Sequence, residues 1–468
     1  MQSISKIATV LAFVLSTPLP VAGDEVDRYV EKQMRKLHIP GLSLGIVRDG
    51  RLIKAQGYGL SNLELGAPAT RSTAYEIGSI TKQFTAAAVM MLVEEGKLGL
   101  NDPITRHFPE APKAWSGITI RHLLTHTSGI QNHVAVPGYL GAFKTSILGE
   151  STPGREEMLR MFFALPLEFQ PGQTWSYDNT GYMLLGVLIE KTTGRSFWQF
   201  LDERIFKPLG MLSTRNTDPR DVIANRASGY EWVKTRYENR PILAPFVGFS
   251  AGSIVSTVED MARWDAALRA GKLLTRSSYS QMWTPARAAD GSELSFNYGF
   301  GWFIDAYHGH RLVLHSGGTP GFSSAIYRAT DEKLTVIILS NHGDRILEQL
   351  VIDIAGMYEP ALKRAEGKKD AAPESSARLR QVVSALMLGK HDPDEFTVPM
   401  RLFLTTATGK GFWQWFAAHG ELKSFTFSDR EASGDGEILR YSALLGENRY
   451  WLAAHLAADG KIAQLHWW

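Results

Sequence analysis

The chain is predicted to adopt an α+β fold: an antiparallel sheet flanked by helices and carrying an all-helical subdomain, followed by a small C-terminal α+β domain. Three observations predict it. Strand patterns stand near both ends of the segment 24–361, helical patterns fill its middle, and a polar stretch separates it from a further run of one helix and several strands. A length of 468 residues accommodates more than one domain, and a hydrophobic content of 44% fills a large core.

In chain order, Lys6 precedes an apolar run from Ile7 to Leu15, then Pro18, Pro20, Ala22 and Gly23, then Asp24 and Glu25. This pattern predicts a cleavable secretory signal over residues 1–23, cut near Ala22 or Gly23, and a periplasmic or secreted mature protein. The apolar run is shorter than the roughly 20 residues a transmembrane helix needs, and no later segment reaches that length, so no membrane span is expected in the mature chain. Val26, Tyr29, Val30, Met34 and Leu37 recur at helical spacing until Pro40-Gly41 ends the helix. Leu42–Val47 and Leu52–Tyr58 flank Asp49-Gly50, residues that tolerate the positive φ of a tight hairpin. Helices are expected at Lys82–Glu95, Tyr182–Lys191 and Ser256–Ala270, and strands at Arg311–Leu314 and Leu334–Leu339.

The composition shifts to Lys, Glu, Ala, Pro and Ser over 362–377, which is read as the linker between a domain at 24–361 and a small α+β domain at 378–468. In the latter, Leu379, Val382, Val383 and Leu386 mark a helix. Leu422–Phe427, Ile438–Leu445, Tyr450–Ala457 and Ile462–Trp467 read as successive strands, with Asp459-Gly460 turning the last pair. The aromatic group Phe412, Trp413, Trp415, Phe416, Trp451, Trp467 and Trp468 is assigned to this domain's core in preference to a binding face. The sequence gives the domain no task.

Charge is nearly balanced, 50 Lys and Arg against 48 Asp and Glu, which gives no reason to expect nucleic acid or an anionic membrane as partner. The absence of cysteine removes disulfides, thiolate nucleophiles, cysteine-ligated metals and lipid-bearing cysteines. His122 and His126, and His308 and His310, have spacings that zinc sites use, but neither pair has an evident third ligand, and no metal or cofactor is expected. The expected partner is a small-molecule or peptide substrate, and oligomeric state is left open.

Three elements carry chemistry. In Ser79-Ile80-Thr81-Lys82 a polar turn meets a helical run, so three-residue spacing puts hydroxyl and amine on one helix face. A serine becomes a good nucleophile only when a neighbouring base takes its proton, and a lysine can do so only when burial or positive neighbours lower its pKa. Taken alone the pair is weak, because Ser3 and Lys6 share its spacing and because Ser79 also suits a helix cap. Tyr177-Asp178-Asn179 precedes a second apolar helix. A phenol beside cations can act as general base, and an asparagine amide can orient a substrate carbonyl or instead cap the helix. Tyr237-Glu238-Asn239 repeats that spacing in a loop-like setting of Lys234, Arg236 and Arg240. His315-Ser316-Gly317-Gly318 has no duplicate and stands at the end of the apolar strand that starts near Arg311. Its small residues let a substrate backbone lie close and let an N–H reach an oxyanion, although a glycine turn with a bystander histidine also explains it.

The three elements in this order resemble the family of class C β-lactamases, low-molecular-weight DD-peptidases, and related esterases and D-aminopeptidases. Tyr75-Glu76-Ile77-Gly78, Leu123-Leu124-Thr125-His126-Thr127-Ser128-Gly129, Pro171-Gly172 and Tyr298-Gly299-Phe300-Gly301-Trp302 are similar to family text as well. The resemblance covers roughly residues 25–360 and implies a serine β-lactamase/DD-peptidase-like fold. It implies that Ser79 attacks the carbonyl, that Lys82 shares protons with it, and that Tyr177 serves as base and then acid. Asn179, His315, Ser316 and Gly317 would bind substrate, and the N–H groups of Ser79 and Gly318 would form the oxyanion hole. His315 stands where class C β-lactamases carry the lysine of Lys-Thr-Gly, and a histidine is mostly neutral at pH 7. The expectation is therefore a serine hydrolase acting through an acyl-enzyme on a D-amino-acid peptide or small ester. A class C-like β-lactamase and a non-catalytic periplasmic binding or regulatory protein of the same fold are the alternatives.

Overall fold

The structure, a computed structural model, describes residues 23–136, 154–241, 245–343, 347–365 and 368–467. Nearly all of the expected signal segment, and Trp468 of the aromatic group, lie outside the described residues.

The chain ends of the larger unit build one sheet. Its seven strands run in the order Ala67–Pro68, Arg51–Asn62, Gly41–Arg48, Leu334–Ser340, Phe322–Ala329, His310–Thr319 and Phe303–Tyr307, each paired antiparallel with its neighbour. The expected hairpin forms at Asp49-Gly50, where both residues take left-handed φ, 51° and 75°, as a two-residue turn matching strand twist requires. Leu44 faces Ile338 across the central pair, joining the first strand to the last.

Both faces of this sheet are covered, which explains why its central strands are buried at consecutive positions rather than alternating. On one side Leu42, Leu44, Ile46, Val336 and Ile338 pack with the terminal helices Gly23–Lys36 and Leu347–Tyr358. On the other, Val47, Ile337 and Leu339 join the core built by helices Thr81–Glu94, Asn179–Thr193 and Val258–Ala270. Thr81–Glu94 is buried from Thr81 through Leu92. A helix apolar all round has to be interior, and the site grows from its N-terminal end.

Two boundaries differ from the sequence reading. The strand expected over Arg311–Leu314 with the tetrad at its end runs from His310 to Thr319, carrying His315-Ser316-Gly317-Gly318 paired residue for residue with its neighbour Phe322–Ala329, because that strand satisfies the backbone that two glycines leave bare. The helix expected from Leu379 starts at Pro373, inside the stretch read as linker. Proline fits the first helical turn, and Glu374 meets the positive end of the helix dipole.

The C-terminal unit packs helices Pro373–Met387, Val398–Thr405 and Ala407–Ala418 on a four-stranded antiparallel meander, Leu422–Ser433, Gly436–Leu445, Asn448–Leu456 and Ile462–Trp467. Trp413, Phe416, Trp451 and Trp467 are buried, as the core assignment expects. This core is shared: Trp175, Leu294 and Tyr298 of the larger unit belong to the same apolar cluster. A polar seam adds to it. Arg440, buried, donates to Asp429, Glu431 and the Ala306 carbonyl, and Glu431 also accepts the N–H groups of His308 and Gly309.

Candidate active site

Ser79 lies in the 3₁₀ turn Gly78–Ile80 that feeds helix Thr81–Glu94, and it is half-buried where Lys82, one turn on, is fully buried. The three-residue spacing brings the groups together: Lys82 Nζ is 3.1 Å from Ser79 Oγ. The same nitrogen is 2.8 Å from Asn179 Oδ1 and 2.8 Å from the Ala251 carbonyl. Burial drives the Lys82 pKa well below the usual lysine value, and the nearby Asp178 carboxylate opposes that shift. In the neutral form that burial favours, the amine has two hydrogens and one lone pair. Asn179 Oδ1 and the Ala251 carbonyl can only accept, so they take both hydrogens and leave the lone pair for Ser79.

The Ser176–Asn179 segment closes the second side. Asp178 caps helix Asn179–Thr193, its Oδ2 accepting from the Gly181 N–H at 2.9 Å, and burial lifts its carboxyl pKa to about 7. Asn179 gives its Oδ1 to Lys82 and turns its Nδ2 toward Asn132 Oδ1 at 3.4 Å. The Tyr177 ring stands over Lys82 Nζ, 4.7 Å from ring centroid to nitrogen. Hydroxyl, amine and phenol ring, called from stretches far apart in sequence, therefore converge.

One further residue holds this segment. His126 accepts from the Ser176 N–H on its carbonyl (2.9 Å) and from the Asp178 N–H on Nδ1 (3.1 Å), with its ring centroid 4.4 Å from that of Tyr177. It adopts φ 57°, a strained conformation for a non-glycine residue, and burial holds its ring neutral. In the sequence His126 stands out only within a stretch similar to the family and as a possible zinc ligand. No local signal distinguishes a histidine that brackets a distant tyrosine. His122 accepts the Thr119 N–H on Nδ1, capping its own helix. Among the described residues no group of three His, Cys, Asp or Glu side chains could hold a metal.

The third side is the strand carrying the tetrad. A Cβ placed on Gly317 would stand 2.0 Å from the Ile77 carbonyl oxygen and 2.9 Å from Ser79 N, and one on Gly78, at φ 48°, would stand 2.6 Å from Gly318 N. Only glycine admits so close a seam. Ser324 Oγ ties it, donating to the Ile77 carbonyl at 2.8 Å. The amide nitrogens of Ser79 and Gly318 thus both lie along this seam, at a half-buried and an exposed residue.

His315 behaves differently from a ligand on display. It is 2% exposed, and burial followed by the charge of Lys82 takes its pKa to about 3. Its Nδ1 lies 2.6 Å from the Ser316 carbonyl, which can only accept, so Nδ1 carries the proton and Nε2 accepts from the Tyr298 hydroxyl at 2.9 Å. Both ring nitrogens are engaged, leaving His315 no charge to offer a substrate carboxylate. Ser316 is half-buried, paired with Ala325, on the same strand face as Gly318.

The β-lactamase family description matches residues 26–355. The chain is 31% identical to penicillin-binding protein 4* of Bacillus subtilis (strain 168) over 379 residues, 76% of this chain and 82% of that protein. It is 30% identical to protein flp of Staphylococcus aureus (strain N315), over 70% of this chain and 64% of that one. In fold it is similar to an octameric penicillin-binding protein homologue from Pyrococcus abyssi, with a TM-score of 0.64 at 23% identity, covering 93% of this chain and 97% of that one. It is also similar to a D-stereospecific amidohydrolase from Streptomyces sp., with a TM-score of 0.58 at 26% identity over 72% of this chain and 98% of the other. The chain belongs to the β-lactamase family of serine hydrolases.

Proposed function

We propose that this protein hydrolyses an amide or ester, of a D-amino-acid-containing peptide or a small ester, through an acyl-enzyme on Ser79. The observation that carries the reading is the contact of Lys82 Nζ with Ser79 Oγ, made by a buried amine whose other two neighbours are acceptors. Ser79 donates its hydroxyl proton to the Lys82 lone pair as its oxygen bonds to the substrate carbonyl carbon. The oxyanion accepts from the N–H groups of Ser79 and Gly318, which the glycine seam holds side by side. Tyr177, in contact with Lys82, gives its phenol proton to the leaving amine or alcohol as the carbonyl carbon's bond to it breaks, and takes in its place the proton that Lys82 received from Ser79. Water then attacks the ester carbon with the same groups as base, and the proton returns to Ser79.

Asn179 fixes the Lys82 amine through Oδ1, and its place beside the nucleophile suits a contact with the acyl side chain. Gly317 and Ser316 provide a strand edge for the substrate backbone. The neutral His315 favours substrates without a free carboxylate at that point, and so an amide or ester over a β-lactam. The Streptomyces relative, described as a D-stereospecific amidohydrolase, supports the substrate class. The proposal includes export directed by residues 1–23 and a catalytic domain at 24–361.

The test is turnover of D-amino-acid amides, DD-dipeptides, short-chain esters and nitrocefin by the wild type and by Ser79→Ala. A D-amide or ester hydrolysed by the wild type alone, with nitrocefin slow, supports the reading. Rapid nitrocefin hydrolysis overturns the substrate preference, and undiminished turnover by Ser79→Ala overturns the nucleophile.

A further inference from the structure

The C-terminal domain meets the larger one immediately behind the Tyr177 segment. Thr408, in the first turn of helix Ala407–Ala418, donates from Oγ1 to the Tyr177 carbonyl at 3.1 Å. Next to it the Ala407 N–H donates to Glu168 at 2.7 Å, and from the other direction Thr174 Oγ1, fully buried, donates to the Pro399 carbonyl at 2.7 Å. These three bonds cross the seam at Tyr177 itself and at Thr174 and Glu168, both of which precede it in sequence.

Apolar contacts follow the same line. Phe403 packs against Trp175 and Phe296, with centroids at 6.0 and 5.4 Å, and Phe412 adds a second ring on Phe296. Trp175 in turn stands beside Tyr177 and Tyr298, at 6.2 and 6.1 Å, and Tyr298 is the residue that donates to His315. Tyr177 itself packs against the C-terminal core. The bond from Arg440 to the Ala306 carbonyl and those from the His308 and Gly309 N–H groups to Glu431 anchor the domain at a second place, near the start of the tetrad strand. Two separate attachments prevent the domain from pivoting about one.

We propose that the C-terminal domain is a template for the active site, holding the Tyr177 segment in its catalytic position, with Thr408 as the positioning residue. The inference rests on the catalytic reading of Tyr177 given above. A carbonyl fixed by a hydroxyl from another domain restricts rotation of the peptide after Tyr177, and the phenol at the end of that side chain magnifies any error. Misplacement of a catalytic group by about 1 Å can cost as much as 100-fold in rate.

The test compares Thr408→Val, which keeps the β-branched shape and removes the donor, with Thr408→Ser, which keeps the donor, both in the full chain. Thr408→Val is expected to lose roughly five- to twentyfold in kcat and in the rate of Ser79 labelling by a fluorophosphonate, with KM within about twofold and melting unchanged, and Thr408→Ser to recover most of the loss. Thr174→Val probes the same seam with a second donor if Thr408→Val folds poorly, and is expected to lose activity in the same sense.

Tyr177→Phe separates the two claims. If it is inactive while the Thr408 and Thr174 variants keep wild-type kcat, the template role is overturned and the catalytic tyrosine stands. If Tyr177→Phe keeps full activity, the catalytic reading fails first. Loss of activity in Thr408→Ser equal to that in Thr408→Val would also overturn the inference, because shape rather than the donated bond would then matter.

Discussion

Substituting Gly317 by alanine tests the seam that brings the two amide donors together. The added Cβ would stand 2.0 Å from the Ile77 carbonyl oxygen, 2.6 Å from Ser324 Oγ and 2.9 Å from Ser79 N. Contact between such atoms begins near 3.5 Å, so relief requires the strand and the nucleophile turn to part by roughly 1 Å or more. The Ser324 hydroxyl can rotate away, but the Ile77 carbonyl belongs to the backbone just before Ser79 and cannot. Removing one oxyanion donor typically costs about 10²–10³ in kcat, and a parting of this size displaces a donor by a comparable amount. The assay is kcat/KM on an ester substrate beside the melting temperature. Gly317→Ala is expected to lose at least about 100-fold in kcat/KM. Gly318→Ala, whose Cβ would meet nothing nearer than 4.0 Å, is the control for folding and is expected to melt like the wild type. Activity of Gly317→Ala within about threefold of wild type would refute the reasoning, because strands so displaced could not form one hole.

Stability should fall as pH drops from 8 to 5. His133 and His315 have folded pKa values near 3 against an ordinary 6.5, so below pH 6.5 the unfolded chain binds protons that the folded chain refuses. Each histidine therefore costs about 2 kcal/mol by pH 5. Asp178, raised to about 7, works in the opposite sense, the folded form binding the extra proton, and returns between 2 and 3 kcal/mol. Burial also raises Glu76 and Glu168, which side with Asp178, but it lowers His122, His126, His455 and His466 as well, and the histidines win. A melting temperature equal or higher at pH 5 than at pH 8 contradicts this balance. His126→Asn should keep more activity than His126→Leu, since asparagine tolerates left-handed φ and offers an oxygen near the place of Nδ1. Equal kcat/KM in the two variants would show that the bonds to the Tyr177 segment do not matter.

Much of the fold could be read directly because period and turn chemistry agreed. Two strand-like runs flanking Asp49-Gly50 forecast the first hairpin, and the apolar helix after Ser79 is the buried one. The tetrad's place at the end of its strand was legible, but the strand's reach to Thr319 was not, because glycine carries no pattern and its pairing comes from Phe322–Ala329, known only in three dimensions. The start of helix Pro373–Met387 was hidden for a related reason: Pro373 and Glu374 signal a helix start, but the surrounding Lys, Ala and Ser read as linker. At the site, Ser79 and Lys82 lie on one helical turn, and their contact follows from spacing. Asn179 as partner of Lys82, His126 as bracket of Tyr177 and the engaged state of His315 depend on long-range contacts that no single stretch encodes.

The central claim is that Ser79 becomes covalently acylated. Intact-protein mass spectrometry after exposure to a fluorophosphonate or a penicillin, followed by peptide mapping, measures it directly. The account predicts one adduct per chain, carried by the peptide containing Ser79 and absent from Ser79→Ala. An adduct on another residue, or equal labelling of Ser79→Ala, would contradict it.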